Sequence, residues 1–200
     1  AGGSCSITLP AGCGKTELIA RLASTLAEAN RPCLVLTHTH AGVDAIRRRL
    51  AQRDVPARLA AVRTIDSWCF NLISSYPDLA RLRCPSEPDW SESRNYHLAA
   101  ATAVESKALQ RMITVSYEHI IVDEYQDCQQ WQHSLITRLS EIRPTVVLGD
   151  PLQGLYFFKG NRPVEWEADV LPAFPSVDAP VEAWRWARDN PELGQWVLEV

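Results

Sequence analysis

The sequence lacks the long apolar runs and the closely paired cysteines that mark two large classes of protein. No apolar run approaches the roughly 18 residues that a membrane-spanning helix requires, and the first residues lack the basic-then-apolar build of a signal peptide. The six cysteines form no CxxC pair and no cluster with histidine, which argues against a zinc site and a disulfide framework. These absences favour a cytoplasmic globular protein with reduced, mostly buried thiols.

An overall excess of positive charge is also missing, because the formal net charge is -4. A broad basic surface for nucleic acid is therefore not indicated. Charge is nevertheless unevenly distributed: residues 44–63 carry six arginines against two aspartates, whereas residues 161–200 carry eight acids against three arginines. The consecutive arginines at 47–49 are as consistent with a solvated helix face as with a contact to phosphates.

Short apolar runs alternate with longer amphipathic segments along most of the chain. Strands are predicted at four runs of β-branched and aliphatic residues, namely 5–9, 33–37, 120–123 and 145–149. Apolar residues at helical spacing predict helices over residues 15–30 and 41–52. This alternation predicts an α/β fold with a parallel sheet that helices cover on both faces.

The stretch "TLPAGCGKT" has the composition of a phosphate-binding loop between the first strand and the first helix. Such a loop exposes backbone N–H groups at a helix N-terminus, its lysine contacts the β- and γ-phosphates, and its Ser or Thr binds Mg²⁺. The residues that would form it are Pro10, Ala11, Gly12, Cys13, Gly14, Lys15 and Thr16. Because Leu9 stands where the strict GxxxxGK[ST] pattern has glycine, an incidental turn is the alternative interpretation.

The segment "HIIVDEYQD" places two adjacent carboxylates after a predicted strand. At the carboxyl end of that strand, Asp123 would hold Mg²⁺ together with Thr16, and Glu124 would polarise the water that attacks the γ-phosphate. Two solvated loop acids are the alternative. The upstream Gly-Lys-Thr favours the catalytic interpretation, because nucleotide hydrolysis needs both features.

Five segments, in order, resemble the motifs of the UvrD/Rep-like branch of superfamily 1 helicases, which are RecA-like P-loop motors on nucleic acid. "PAGCGKT" resembles the phosphate loop of that branch, and "IIVDEYQDCQ" resembles its DExxQD motif. "LTHTHAGVDAIRRRL" is similar to TxTNxAAxxMxxR, with His40 in place of asparagine. "VRTIDSW" is similar to TFHS, with Asp66 in place of histidine, and "VVLGDPLQGLYFFKG" resembles GDxxQxIYxFRG.

The resemblance implies a division of the chain into three parts. Residues 1–76 and 116–160 would form the RecA-like, P-loop ATP-binding domain, and residues 77–115 would form a mainly helical insertion. Residues 161–200 would be a linker and the start of an incomplete second RecA-like domain. The chain begins without methionine and would end before the last two family motifs, so we expect a truncated chain with weak ATP hydrolysis or none, separated from further helicase or nuclease domains.

The resemblance also implies roles for individual residues. Gln126 and Gln153 would sense the γ-phosphate, and Arg185, in the weakly similar "VEAWRWARDN", would contact it, which makes Lys15, Glu124, Gln153 and Arg185 the predicted catalytic residues. Single-stranded DNA would be bound without sequence specificity by hydroxyl, imidazole and aromatic groups, namely Thr37, Thr39, His40, Thr64, Ser67, Tyr156 and Phe158. Ordinary packing is the alternative for Arg185 and for the aromatic residues.

The leading hypothesis for function is an ATP-dependent DNA helicase or translocase that uses ATP and Mg²⁺ to move on single-stranded DNA. A P-loop kinase would share Gly-Lys-Thr and the carboxylates but would lack the GDxxQ segment, which this chain has. A non-catalytic module, in which ATP only switches DNA binding or regulation, is the remaining alternative.

Overall fold

A computed structural model of the chain describes residues 3–10, 12–154, 162–179 and 192. Within these residues, one sheet contains five strands: β1 (Cys5–Thr8), β2 (Cys33–Thr37), β3 (Ala60–Thr64), β4 (His119–Val122) and β5 (Thr145–Gly149). All pairs are parallel, in the order β1-β5-β4-β2-β3. The predicted parallel α/β fold is therefore confirmed, and the carboxyl ends of all five strands lie at one end of the sheet.

Helices cover both faces of the sheet. On one face lie α1 (Lys15–Glu28) and α2 (His40–Ala51). On the other face lie α3 (Ile65–Ser75), the short α4 (Pro77–Ala80), α5 (Ser93–Ala103), α6 (Lys107–Ser116) and α7 (Gln130–Ser140). Successive strand residues point to opposite faces, so Val35 joins the first core and Leu36 the second, which explains the uninterrupted apolar strands. In the described part of the chain, no helix has the length and apolarity to cross a bilayer.

The strand β3 is the element that the sequence pattern misses. Its sequence "AAVRT" has two alanines, which have low β propensity, and an exposed arginine. The strand lies at an edge of the sheet and, within the described residues, pairs with β2 alone. Burial alternates along β3, with Ala60 and Val62 buried and Arg63 exposed, so it lacks the continuous apolar run of a strand that is covered on both faces.

Residues 77–115 are mainly helical and share a hydrophobic core with the sheet. The buried alanines of α5, including Ala99, Ala100 and Ala103, belong to the same cluster as Leu36. Helix α5 packs against α3 and α7. The predicted insertion therefore lies against helices that follow β3 and β4, while the domain boundaries themselves stay a prediction.

Residues 162–179 return to the sheet after the fifth strand. They form a turn of π-helix (Trp166–Val170) and the short α8 (Leu171–Ala173). The Ser6 amide donates to the Pro175 carbonyl at 3.0 Å, and the Val177 amide donates to the Ser6 carbonyl at 2.9 Å. These bonds cover part of the free side of β1, which an edge strand would otherwise present to solvent or to another chain.

Candidate functional site

The glycine-rich turn between β1 and α1 depends on two left-handed residues. Gly12 has φ 75° and Gly14 has φ 89°, conformations that glycine adopts without the steric cost of a Cβ atom. The Cys13 amide donates to the Pro10 carbonyl at 3.2 Å, which closes the turn before α1 begins. The first amides of a helix have no acceptor within the helix, so this turn presents an anion-binding helix N-terminus.

Lys15 is buried at the first position of α1 and is paired with a carboxylate from another strand. Its side chain is 9% exposed, and its Nζ lies 3.1 Å from Oε2 of Glu124, which follows β4. A buried ammonium is costly unless an opposite charge accompanies it. The ion pair therefore stabilises Lys15 in place and joins the glycine-rich turn to the end of β4, with the partly buried Thr16 next to it.

Glu124 is held in an uncommon backbone conformation. Its φ of 51° and ψ of 45° lie in the left-handed region, which costs a non-glycine residue roughly 1 to 2 kcal/mol. Its Oε2 accepts from Gln126 Nε2 at 2.9 Å in addition to the contact with Lys15. The carboxylate is therefore oriented from two sides, at a point where the surrounding fold compensates the strain.

Asp123 is a buried carboxylate with an unsatisfied oxygen. The residue is 5% exposed, and its buried Oδ1 has no hydrogen-bond partner among the residues that the structure describes. Burial, and then the nearby charge of Glu124, raise the pKa of Asp123 to about 6, although Lys15 partly opposes this. Its amide donates to the Leu36 carbonyl at 2.8 Å, which extends the β2–β4 pairing beyond the end of β4. An unpaired buried carboxylate oxygen is typical of a site that binds a cation.

The residues present fit Mg²⁺ bound together with a phosphate ligand. Mg²⁺ is commonly bound by one or two carboxylates plus substrate phosphates and water, rather than by a complete protein cage. In the described residues, no group of three or more His, Cys, Asp or Glu is arranged to hold a metal. Asp123 Oδ1 and the Thr16 hydroxyl are oxygen donors of the kind that Mg²⁺ prefers and would hold it together with phosphate oxygens.

A chain of hydrogen bonds connects the end of β4 with the end of β5. Gln126 Oε1 accepts from the Asp150 amide at 3.0 Å, and the Asp150 carboxylate accepts from Gln153 Nε2 and from the Leu152 amide. A Cβ atom at Gly149 would lie 2.8 Å from Gln126 Oε1, so glycine permits this close approach. Glu124, through Gln126, is therefore mechanically linked to Gln153.

Two of the residues predicted to contact DNA sit side by side where β2 and β3 end. Thr37 and Thr64 are register partners in the parallel pair. Both are buried, whereas Thr39 and His40, just after β2, are exposed. The two segments that resemble DNA-contacting motifs thus meet at the same end of the sheet as the glycine-rich turn, and Thr39 and His40 are the members with direct access to solvent.

Helix capping accounts for part of the hydroxyl pattern in these two segments. Thr39 Oγ1 accepts from the Gly42 amide at 3.0 Å and caps α2. Thr64 Oγ1 accepts from the Ser67 amide at 3.1 Å and caps α3, and the Ser67 hydroxyl donates to the Thr64 carbonyl. Because N-capping contributes about 1 kcal/mol, these hydroxyls have a structural role whether or not they also contact a ligand.

Arginines of α1, of α2 and of the turn after α2 are engaged in contacts within the protein. Glu17, after the glycine-rich turn, forms ion pairs with Arg21, Arg49 and Arg53. Arg47 donates to a β3 carbonyl at 2.9 Å. Pairs this exposed contribute little to stability, but three cations around one anion leave a locally positive surface where α1 meets α2.

His38 and Cys128 are site residues that the motif pattern does not indicate. His38 lies between Thr37 and Thr39 in the segment that resembles TxTN, and its Nε2 is 3.5 Å from the Cys128 Sγ. Burial lowers the pKa of His38 to about 4, even though the charges of Asp66 and Glu124 act in the other direction. His38 is therefore neutral at physiological pH, and it links the end of β2 to Cys128. Its position in TxTN is one that the motif leaves unspecified, so the motif gives no signal for it.

Asp66, which replaces the histidine of TFHS, ties α3 to α5. Its Oδ1 accepts from the Ser93 hydroxyl at 3.0 Å and lies 3.2 Å from Nε2 of the fully buried His97, within ion-pair distance but outside hydrogen-bond geometry. His97 Nδ1 donates to the Ser93 carbonyl at 2.8 Å. Burial lowers the pKa of His97 and the Asp66 charge opposes that shift. Asp66 therefore connects the segment that resembles TFHS to the predicted helical insertion.

Four predicted site residues, Ala11, Tyr156, Phe158 and Arg185, lie outside the described residues. Those that are described form two groups at one end of the sheet. The group at β1, β4 and β5 is joined by the contacts of Lys15, Glu124 and Gln126, and the group at β2 and β3 is joined by strand register.

Comparison with known proteins supplies a family for this arrangement. A family model described as "AAA domain" matches residues 2–159. No curated protein matches the chain. Among solved structures, the chain is similar to one described as "Crystal structure of Bacteroides Pif1 bound to ssDNA", with 18% sequence identity and a TM-score of 0.42. The match covers 86% of this chain but only 33% of the other, so this chain spans a third of that protein's length.

Proposed function

The chain belongs to the AAA domain family, as a helicase-like N-terminal region of superfamily 1, and on this basis we propose that it is the ATP-binding core of a DNA helicase or translocase of the UvrD/Rep-like type. It would couple ATP hydrolysis to movement along single-stranded DNA. The observation that carries the proposal is the Lys15–Glu124 pair next to Asp123, whose buried Oδ1 has no hydrogen-bond partner among the described residues. A lysine, a free carboxylate oxygen and a second oriented carboxylate are what phosphoryl transfer to water requires.

The phosphates of ATP would bind at the turn around Gly12 and Gly14 and at Lys15. A phosphate that contacts Lys15 lies within reach of Glu124, because Nζ and Oε2 are 3.1 Å apart. Mg²⁺ held by Thr16 and Asp123 would neutralise charge on the phosphate oxygens. Competition of phosphate for Lys15 would leave Glu124 free to orient the attacking water, a contribution of about 10² to 10⁴ in rate for a general base.

Coupling between chemistry and movement would pass through the amide side chains. Gln126 donates to Glu124 and accepts from the Asp150 amide, so a displacement of Glu124 would shift Gln126 and alter its hydrogen bond at the end of β5. Gln153, which donates to Asp150, would then respond together with Asp150. Amides suit this function because they exchange hydrogen bonds without changing charge.

Single-stranded DNA would run across the ends of β2 and β3. The exposed Thr39 and His40 would contact phosphates first, with Ser67 beside the capped end of α3. His38 supports coupling of this surface to ATP. It directly follows β2 and contacts the Sγ of Cys128, which follows the proposed catalytic segment. Tyr156 and Phe158 remain proposed stacking residues for bases, worth about 1 to 3 kcal/mol per base.

The proposal is tested by binding and hydrolysis of Mg-ATP, with and without single-stranded DNA. Lys15→Ala is expected to weaken ATP binding by about 10- to 150-fold, the loss of one charge-assisted hydrogen bond. Lys107→Ala is the matched control, because Lys107 is an exposed lysine on α6. Glu124→Gln is expected to bind ATP normally and to lower any hydrolysis by about 10²-fold or more.

Three outcomes separate the hypotheses. Hydrolysis stimulated by DNA and abolished in Glu124→Gln would support the motor. Binding of ATP and DNA without hydrolysis would favour the non-catalytic, ATP-switched module. The nucleotide site would be refuted if the folded wild-type chain bound no Mg-ATP. It would also be refuted if the Lys15→Ala variant bound Mg-ATP as tightly as the wild type.

A further inference from the structure

A groove outside the nucleotide site is lined by aromatic and charged side chains from three separate helical segments. It has a volume of about 420 Å³ and includes Asp66 of α3, Trp90 and Arg94 of the insertion, and Trp131 and Gln132 of α7. This is within the roughly 300 to 1,000 Å³ of typical ligand pockets. None of the roles assigned above uses Trp90, Arg94 or Trp131.

Trp90 presents a half-exposed aromatic ring to the groove. It is 48% exposed, and it packs against Phe70 edge-on, with ring centroids 6.1 Å apart and an interplanar angle of 62°. Phe70 in turn packs against the buried Tyr96 at 5.3 Å, so the indole is supported from below by a rigid aromatic base. A large aromatic ring that is held firmly and left half exposed is typical of a binding surface.

Trp131 and Arg94 form the second aromatic element of the groove. The Arg94 guanidinium lies 5.6 Å from the centroid of the Trp131 ring. This cation–π contact holds the guanidinium over the ring at the groove, where it adds positive charge beside a flat apolar surface. Aromatic rings interleaved with arginine are the combination by which proteins bind single-stranded nucleic acid without sequence specificity.

The groove includes a residue of the segment proposed to contact DNA. Asp66 lies in the groove, and its neighbours Thr64 and Ser67 belong to the proposed DNA surface at the end of β3. Its carboxylate already accepts from Ser93, which fixes the wall of the groove. A carboxylate repels phosphate, so a strand entering here would turn its bases toward the groove and its backbone toward solvent.

We propose that this groove, defined by Asp66, Trp90, Arg94 and Trp131, is an additional site for single-stranded nucleic acid, in which bases stack on the Trp90 indole and on the paired Arg94 and Trp131 side chains. The proposal rests on the strand-binding function proposed above. The insertion at residues 77–115 then lengthens the strand path, which runs from the end of β3 past α5 to the start of α7.

The test measures binding of a fluorescent oligo(dT) and of an abasic oligomer of the same length to the 200-residue chain. Trp131→Ala and Trp90→Ala are each expected to weaken oligo(dT) binding by about 5- to 150-fold and to leave binding of the abasic oligomer nearly unchanged. Trp90→Phe keeps an aromatic face and is expected to restore most of the affinity. Tyr76→Ala is the matched control, because Tyr76 is 38% exposed and does not line the groove.

Each other result has a defined meaning. If the wild-type chain binds no oligo(dT), strand binding and the groove both fail, while the ATP site is judged separately by Mg-ATP affinity. If the wild type binds and both tryptophan variants, folded by circular dichroism, bind equally well, the groove alone is refuted and belongs to another class of partner, such as a protein segment. An equal loss on the abasic oligomer would refute stacking. Arg94→Ala supplies a further variant if Trp90→Ala does not fold.

Discussion

Replacement of Asp123 by asparagine is expected to make the protein more stable and, at the same time, unable to bind Mg-ATP well. Asp123 is buried, and within the described part of the chain its Oδ1 has no hydrogen-bond partner. Burial beside Glu124 raises the pKa of Asp123 from the usual 3.8 to about 6. At pH 7.5 the folded protein therefore holds a destabilised buried charge. Asparagine has nearly the same shape without that charge.

The size of the effect follows from the two pKa values. A group whose pKa is higher in the folded state binds its proton more tightly there, so the free energy of unfolding falls as the pH rises from about 3.8 to about 6 and is then constant. At about 1.4 kcal/mol per pH unit, the penalty at pH 7.5 is about 3 kcal/mol. At pH 4.5 the penalty is about 1 kcal/mol, because the carboxyl is then largely protonated in the folded state.

The assay is urea denaturation of the wild type and Asp123→Asn at pH 7.5 and pH 4.5, with EDTA present. The variant should gain up to about 3 kcal/mol at pH 7.5 and clearly less at pH 4.5. Asp44→Asn, at an exposed position in α2, is the control and should change stability by less than about 0.5 kcal/mol. A loss of stability at pH 7.5, or an equal gain at both pH values, would refute desolvation of the carboxylate as the cause.

Two further predictions concern residues that shape the site. Gly149→Ala should lower the free energy of unfolding by about 1 to 3 kcal/mol, because its Cβ would lie 2.7 Å from the Trp166 ring. Gly154→Ala is the control and should be nearly neutral, since its Cβ would have its nearest contact at 3.5 Å. Equal effects of the two substitutions on stability would contradict a steric cause. Thr64→Ala should cost about 1 kcal/mol because the Ser67 amide loses its acceptor, whereas Thr64→Ser should keep the cap; no difference between them would argue against capping.

The family resemblance could be predicted from the sequence because each of its motifs is a contiguous run of residues. "PAGCGKT" and "IIVDEYQDCQ" each combine a strand end with a fixed run of side chains, and the family match over residues 2–159 confirms the assignment to superfamily 1. The UvrD/Rep-like branch and the roles of single residues stay predictions. Strand β3 was not accessible, because an edge strand with two alanines lacks the apolar pattern on which strand prediction depends.

Other parts of the site arise only from contacts between distant segments. The spacing of Lys15 and Glu124 along the chain says nothing of their 3.1 Å contact. The pattern assigns Thr64 to DNA, whereas the fold also uses it as a helix cap. Likewise, the sequence shows Asp66 only as a departure from TFHS. The structure shows that its carboxylate accepts a hydrogen bond from Ser93 of the predicted insertion.

The sequence by itself determined the alternation of strands and helices, the turn with glycines at 12 and 14, and the adjacent acids at 123 and 124. These are local properties, because backbone conformation and strand burial depend on neighbouring residues. Only the tertiary structure decided which strand ends are neighbours, and hence the raised pKa of Asp123 and the groove around Trp131. Electric fields and cavities depend on distances through space, and strand order, which no local pattern encodes, sets those distances.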